Sequence, residues 1–268
     1  MPRYFVEVSY KGTAYSGFQV QKNANSIQSE IEKALHIYFK QQFSLTGASR
    51  TDTGVHALQN YFHFDTLEPL QKKKIKATTD ISVQQTLDKT GLLYSLNSIL
   101  PRDIVIKSIF QVDPNHHCRF DAVLRGYKYF IYADKNPFLE DRAFYYPYRL
   151  DVSKLQQAAQ LILKYKDFSA FSKRNTQVKD FICRIKTSEW VEENNTLIYH
   201  VEANRFLRGM VKGLVGTMLR VGTGKITIED FEEIIRNKDC TKADFSVPAH
   251  GLFLIKVCFN EQVAAEKN

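Results

Sequence analysis

The strongest constraint on the fold is an order of predicted elements that the two halves of the chain share. Apolar residues alternate where strands are predicted and recur at helical spacing where helices are predicted. The first half gives the order β-α-β-β-α-β, over residues 3–10, 27–38, 43–46, 58–65, 92–100 and 104–112. The second half repeats it, with strands at 125–132, 181–191, 197–202 and 251–259 and helices at 151–162, 207–219 and 227–235.

Two tandem β-α-β-β-α-β units are the simplest explanation of this repeat. We therefore expect an α+β fold in which two ferredoxin-like or RNA-recognition-like units, each with its own sheet, flank a central active-site cleft. Residues 1–115 are the expected N-terminal subdomain, residues 116–262 the C-terminal subdomain, and residues 263–268 a disordered tail. No glycine- and serine-rich linker separates the halves, so we expect them to pack closely.

The charge of the chain favours a polyanionic partner. Thirty-seven Lys and Arg against 29 Asp and Glu give a net charge of +8, and basic proteins of this kind attract nucleic acid. The one dense basic run, residues 72–74 with Lys76, lies in a polar stretch over 68–89 that is too hydrophilic for a core. The stretch is either an RNA contact or a solvated loop.

Several classes of function have no support in the sequence. No uncharged apolar run approaches the roughly 18 residues that span a bilayer, and residues 1–3 lead directly into a strand pattern, so we expect a cytoplasmic protein without membrane contact. The four cysteines are scattered and form no CxxC pair, which favours reduced thiols and no metal site. No nucleotide-binding motif follows a strand, and we expect no cofactor.

Residues 47–57, GASRTDTGVHA, are poor core material and are predicted to form an active-site loop between the second and third strands. Asp52 stands between two threonines, two residues after Arg50. The triplet that starts at Asp52 also occurs in aspartic proteases, but those enzymes need a second copy that shares a proton, and a neighbouring arginine keeps a carboxylate ionised. The pattern alone leaves two roles for Asp52, a turn cap or an ionised nucleophile.

Six regions of the chain agree, in order, with the motifs of one enzyme family. Residues 47–57 resemble G-x-x-RTD-x-GVHA, and residues 15–21 resemble Y-x-G-W-Q-x-Q. The motifs LN-x-x-LP-x-DI, AR-x-x-A-x-x-R-x-Y-x-Y, FL-x-x-MVR and GL-x-L have counterparts at 96–104, at 119–122 with 125–129, at 206–212 and at 251–254. Over nearly its whole length, the chain resembles the TruA-type tRNA pseudouridine synthases.

The resemblance implies the pseudouridine synthase fold and a reaction without a cofactor. Uridine would be isomerised to pseudouridine in the anticodon arm of tRNA, at positions 38 to 40, after the base is flipped out of its stack. Asp52 would be the nucleophile, attacking either the ribose C1′ or the base C6. Family members are homodimers in which each tRNA contacts both subunits, which would account for the positive charge.

The resemblance also assigns the other site residues. Tyr127 corresponds to the tyrosine that stacks on the uracil. The strand pattern alone leaves a core packing role as the alternative, since Tyr127 alternates with Tyr129, which would share its face and be the packing residue of the pair. Arg50 would fill the vacated stack or contact a phosphate. Gln19 would help to position the RNA, although a surface loop explains it equally well.

The basic partner of Asp52 is expected to be Lys212 or Arg208. These residues lie four apart on one face of the predicted helix at 207–219. The family usually has arginine where this chain has Lys212, so a point charge would replace a bidentate guanidinium. The alternative to an enzyme is a non-catalytic RNA-binding protein built from RNA-recognition-like units, which would need no aspartate in the loop.

Overall fold

One sheet runs through both halves of the chain in a computed structural model that describes residues 1–70, 89–174, 178 and 180–267. Its strands are β1 (Arg3–Tyr10), β2 (Thr46–Gly47), β3 (His56–Asp65), β4 (Ile104–Val112), β5 (Ala122–Tyr132), β6 (Phe144–Tyr145), β7 (Ile185–Glu193), β8 (Thr196–Ala203) and β9 (Leu252–Phe259). The helices are α1 (Ile27–Phe39), α2 (Lys89–Ile99), α3 (Val152–Leu161), α4 (Met210–Gly222), α5 (Ile228–Asn237) and α6 (Glu261–Glu266).

The strand order is β4-β1-β3-β9-β5-β8-β7, a mixed sheet. Strand β3 joins the two halves of the chain. The edge of β3 that does not pair with β1 has two partners, β2 and β9. Phe62 and His63 pair with the short antiparallel strand β2, whereas His56 and Ala57 pair in parallel with β9. The expectation of two separate sheets is therefore wrong: the last strand of the chain lies between β3 and β5 and closes the gap.

The core of the first half forms where α1 covers the sheet. A serine capping box starts this helix, in which Ser26 accepts from the Ser29 N–H and Ser29 accepts from the Ser26 N–H. Each apolar side chain removed from water here contributes about 1.5–3 kcal/mol, and the fully buried positions of α1 are Ile27, Ile31 and Leu35.

The second half packs α3 and α4 against the sheet. Asp151 caps α3 by accepting from the Lys154 N–H at 3.1 Å. Strands β7 and β8 form a hairpin, in which Asn194 and Asn195 take positive φ angles of 50° and 59°. Asparagine tolerates that conformation better than most residues, which suits a tight two-residue turn.

Helix α4 begins three residues later than its apolar spacing predicts. Gly209 precedes it with a φ of 74°, in the left-handed region, so the helical turn starts only at Met210. Arg208 thus lies before the helix and Lys212 inside it. The expectation that both share one helical face is wrong for this reason.

The end of the chain differs from the expected disordered tail. Asn260 caps α6 by accepting from the Val263 N–H at 3.1 Å, and Val263 is fully buried. Lys267 then donates to the carboxylate of Glu7 at 2.7 Å. Of the polar stretch at 68–89, residues 71–88 lie outside the described ranges. None of the helices in those ranges is long and apolar enough to cross a membrane.

Candidate active site

The loop that carries Asp52 connects β2 to β3, and a buried asparagine anchors it. Asn60, which is fully buried on β3, donates from its amide to the Ser49 carbonyl at 3.0 Å and to the Tyr10 hydroxyl at 3.2 Å. The Tyr10 hydroxyl in turn bonds to the Thr51 hydroxyl at 2.8 Å. Buried polar groups that are fully paired hold one geometry, so the loop leaves the sheet along a defined path.

The segment between β1 and α1 supports the loop from behind. Phe18 N–H donates to the Thr51 carbonyl at 3.1 Å, and Gly54 N–H donates to the Tyr15 carbonyl at 3.3 Å. Gly17 has a φ of 93°, and a Cβ there would lie 2.8 Å from the Thr51 oxygen. Only glycine therefore allows this close approach of two backbones. Gln19 directly follows Phe18 and is exposed.

His56, at the end of the loop, is a structural residue. Its Nδ1 accepts from the Gly12 N–H at 3.1 Å, so its Nε2 carries the proton and donates to the His250 carbonyl at 3.0 Å. Both nitrogens need the neutral ring, and burial lowers the pKa of His56 below its usual value. His56 ties the loop to the segment before β9.

Asp52 stands at the open side of this scaffold with its side chain 36% exposed. Its Oδ1 lies 3.9 Å from Nε of Arg208, whose side chain is 61% exposed. Lys212, on the first turn of α4, is half-buried. Burial and the positive charge of Lys173 lower the pKa of Lys212, while the charge of Asp52 acts in the opposite direction. Both candidate partners thus act on Asp52: Arg208 from an exposed position and Lys212 from a half-buried one.

Tyr127 faces the same carboxylate from β5. Its side chain is 9% exposed, and its ring meets that of Phe206 edge-on, with centroids 5.0 Å apart. Burial and the charge of Asp52 raise the pKa of Tyr127 to about 12, so the phenol keeps its proton at neutral pH. Tyr129, two residues on, is fully buried and donates to the Pro248 carbonyl at 2.7 Å. Tyr129 packs, while Tyr127 lines the site.

Arg125 connects three segments that surround the site. It is 8% exposed, and its Nη2 donates to the Ala48 carbonyl at 3.1 Å and to the Arg119 carbonyl at 2.8 Å. Its other donors reach Ser49 Oγ at 3.3 Å, the Ala122 carbonyl at 3.1 Å and the Asn204 carbonyl at 3.0 Å. All five donors of the guanidinium are used, on neutral oxygens. Arg125 fixes the Asp52 loop to both neighbouring segments.

Three further arginines line the outer side of the same region. Arg50, Arg119 and Arg205 stand on the three segments that Arg125 joins. Burial and the positive charges of Arg50 and Arg205 lower the pKa of Arg119. Arg208 and Lys212 act on Asp52 itself. The five cations give this region a positive charge of the kind that binds phosphates. No three His, Cys, Asp or Glu side chains of the described ranges are grouped to hold a metal ion.

The comparisons with known proteins agree with this geometry. Residues 7–121 and 158–260 match the family model for tRNA pseudouridine synthase, and the chain therefore belongs to the tRNA pseudouridine synthase family.

Similar proteins named tRNA pseudouridine synthase A align over nearly the whole chain. The protein of Parabacteroides distasonis is 39% identical over 263 residues, covering 98% of each chain. That of Bacteroides thetaiotaomicron is 38% identical over 270 residues, covering 100% of this chain and 94% of the relative. A Staphylococcus aureus protein is 33% identical over 261 residues, covering 97% and 92%.

The motifs and patterns of the sequence assign no role to Arg125. A signal was present, because Arg125 shares the alternation of Tyr127 and Tyr129 and so points to the buried face of its strand. A charged residue at such a position needs buried partners. Its partners come from residues 48–49, 119–122 and 204, and nothing in the local pattern reveals that these segments meet.

Proposed function

We propose that the protein isomerises uridine to pseudouridine in the anticodon arm of tRNA, at positions 38 to 40. The N-glycosidic bond breaks, the uracil rotates, and its C5 bonds to the same ribose carbon while the C5 proton leaves and N1 gains one. Substrate and product contain the same atoms. The arrangement that supports this proposal is a single half-exposed carboxylate, Asp52, between a protonated phenol and two cations.

Asp52 is the proposed nucleophile. A carboxylate can attack an electrophilic carbon and depart again, which is covalent catalysis without a cofactor. Attack at the ribose C1′ and attack at the base C6 both suit a carboxylate at the open side of the loop. Lys212 and Arg208 hold its charge and orientation in this proposal.

Tyr127 is proposed to stack on the flipped uracil and to assist proton transfer. Its proton is retained at neutral pH because its pKa is raised to about 12, so the hydroxyl can donate to the reacting base. Arg50 fills the space that the base leaves or contacts a neighbouring phosphate, and Gln19 helps to position the RNA. Flipping is required because the reacting atoms are out of reach inside a stem.

The fold proposal is that the two halves are related ferredoxin-like units. In support, the strands of each half have the same spatial order, 4-1-3-2, as β4-β1-β3-β2 and β9-β5-β8-β7, when the two-residue strand β6 beside β5 is set aside. We also propose a homodimer in which each tRNA contacts both subunits. A protein that acts on tRNA is expected in the cytoplasm.

The proposed activity is tested by incubating the protein, without any cofactor, with unmodified tRNA transcripts and mapping pseudouridine. We expect pseudouridine at positions 38 to 40 and none in matched transcripts with cytidine there. Tight binding of tRNA without any product would support the alternative, a non-catalytic RNA-binding protein, and would overturn the enzyme assignment.

A further inference from the structure

Phe120 is an exposed aromatic residue that is nevertheless held in place. It lies in the turn between β4 and β5, directly after Arg119, and is 74% exposed. Its ring centroid lies 4.3 Å from that of His117, and the guanidinium carbon of Arg119 lies 5.9 Å from the same centroid. The Phe120 N–H donates to the His117 carbonyl at 3.0 Å. Contacts with His117 and Arg119 therefore orient the Phe120 ring although it is exposed.

The turn around Phe120 is fixed by its own hydrogen bonds. The Asp121 carboxylate accepts from the His117 N–H at 2.8 Å and bonds to His116 Nδ1 at 3.0 Å. Arg3 donates from outside the turn to the His116 carbonyl at 2.7 Å. Because the turn is already ordered, a ligand that stacks on Phe120 loses little entropy by fixing it.

The same turn is bonded to the active site. Arg125 Nη2 donates to the carbonyl of Arg119 and to that of Ala48, at 2.8 and 3.1 Å, so one guanidinium joins the turn to the Asp52 loop. The charges of Arg50 and Arg205 act on Arg119. The exposed ring thus stands beside the Arg119 guanidinium, which is able to bind a phosphate next to a stacked base.

We propose that Phe120 is the stacking platform for an unpaired nucleobase that flanks the target uridine. The proposal rests on the function proposed above, and it adds a binding subsite outside the catalytic residues. Single exposed apolar residues are common on protein surfaces and need no function. Phe120 differs because its ring is pre-oriented, lies beside the Arg119 guanidinium and belongs to a turn that Arg125 bonds to the Asp52 loop. An ordered aromatic ring next to a cation is the combination that single-stranded RNA recognition uses.

Steady-state kinetics of pseudouridine formation test this subsite. Phe120→Ala is expected to raise KM for tRNA about ten-fold, with kcat nearly unchanged, and Phe120→Trp to restore KM. The matched control is Tyr94→Ala, because Tyr94 is 77% exposed but lies on α2. Its KM should stay at the wild-type value. A plot of the logarithm of the tRNA binding constant against the logarithm of salt concentration gives a slope that reports phosphate contacts. Arg119→Gln should reduce the magnitude of this slope by about one, whereas Phe120→Ala should leave it unchanged.

A binding experiment separates this proposal from the enzymatic one. The RNA is an anticodon stem-loop with 2-aminopurine at one or other nucleotide beside the target, and the protein carries Asp52→Ala so that no turnover occurs. Binding should quench the fluorescence at one of these nucleotides, and Phe120→Ala should abolish the quench.

The outcomes are distinct. Absence of pseudouridine with the wild-type protein overturns the proposed activity, whatever the fluorescence shows. A Phe120→Ala protein with wild-type KM and wild-type quenching overturns the subsite. A loss of kcat at unchanged KM also overturns it, because Phe120 would then act by holding the Asp52 loop.

Discussion

The guanidinium of Arg125 donates to the carbonyl oxygen of Ala48 at 3.1 Å, four residues before Asp52 in the chain. The bond makes a buried strand residue part of the frame that sets the position of the loop. Other N–H groups of Arg125 donate to the Arg119 carbonyl and to the Asn204 carbonyl, next to Arg205. Arg125 therefore holds together the Asp52 loop, the turn before β5 and the segment that leads to α4.

Replacing Arg125 with lysine is expected to weaken both stability and turnover. An ammonium has three donors instead of five, so at least two buried oxygens lose a partner, at about 1–3 kcal/mol each. We expect Arg125→Lys to lower the free energy of unfolding by about 2–4 kcal/mol and kcat at least ten-fold. Urea unfolding and single-turnover rates measure these effects. Arg142→Lys is the control, since the Arg142 side chain is 59% exposed. Equal behaviour of the two variants would contradict the role of Arg125.

The two cations beside Asp52 are expected to differ in importance. The pair with Arg208 is long and exposed, and such pairs contribute little. Lys212 is half-buried, where a charge acts on its neighbour through a lower effective dielectric. We expect Lys212→Gln to reduce kcat at least ten-fold more than Arg208→Gln in the pseudouridine assay. A larger loss in Arg208→Gln would instead assign the pair to Arg208.

Tyr127→Phe is expected to retain the fold and the affinity for tRNA but to lose turnover by about a hundred-fold or more, a typical share for an acid–base group. Tyr129→Phe is the matched control two residues away. Its hydroxyl bonds to the Pro248 carbonyl at 2.7 Å, so the control should lose stability and keep its rate. Thermal melting, tRNA binding and turnover distinguish the two. Normal turnover in Tyr127→Phe would contradict the role of the hydroxyl in proton transfer and would show that Tyr127 only packs.

Protonation of His63 is expected to destabilise the fold in mild acid. Burial and the charge of Arg3 lower the pKa of His63 to about 4, and its Nδ1 accepts from the Cys118 N–H at 3.3 Å. His63 is neutral in the folded protein. Its contribution to the free energy of unfolding is therefore fully present above the ordinary histidine pKa of about 6.5 and falls by up to about 1.4 kcal/mol per pH unit as the pH drops toward 4.

Urea unfolding of the wild type and of His63→Gln between pH 7 and pH 5 measures this contribution. The wild type should lose more stability over this interval than the variant does. The exposed His36, replaced by glutamine, is the control and should follow the wild type. Parallel curves for wild type and His63→Gln would show that His63 does not titrate in this way.

Local patterns predicted the fold well where local physics decides it. Strand β4 has the predicted bounds 104–112, and α5 begins at Ile228, one residue after the predicted start at Thr227, which caps the helix by accepting from the Asp230 N–H. Apolar spacing misplaced the start of α4, because it continues through Gly209 whereas the backbone there turns left-handed. The pairing of β3 with β9 joins residues almost 200 positions apart (56 and 253), and no periodicity reports such a contact.

The candidate site likewise has one feature that the local sequence predicts and others that depend on contacts between distant segments. The loop with Asp52 was predicted between the second and third strands, and the structure has it between β2 and β3. Which cation approaches Asp52 depends on the left-handed backbone at Gly209, which places Arg208 before α4 and Lys212 within it. The bonds of Arg125 depend on three distant segments meeting, so only the folded chain reveals them.

The nucleophile assignment is tested most directly by pseudouridine mapping of unmodified tRNA after incubation with Asp52→Ala. The Asp52 side chain is 36% exposed and belongs to a loop held by backbone bonds, so the variant should fold and bind tRNA as the wild type does. We expect it to form no pseudouridine at positions 38 to 40 under conditions in which the wild type converts them fully. Pseudouridine formation by Asp52→Ala at the wild-type rate would contradict the assignment.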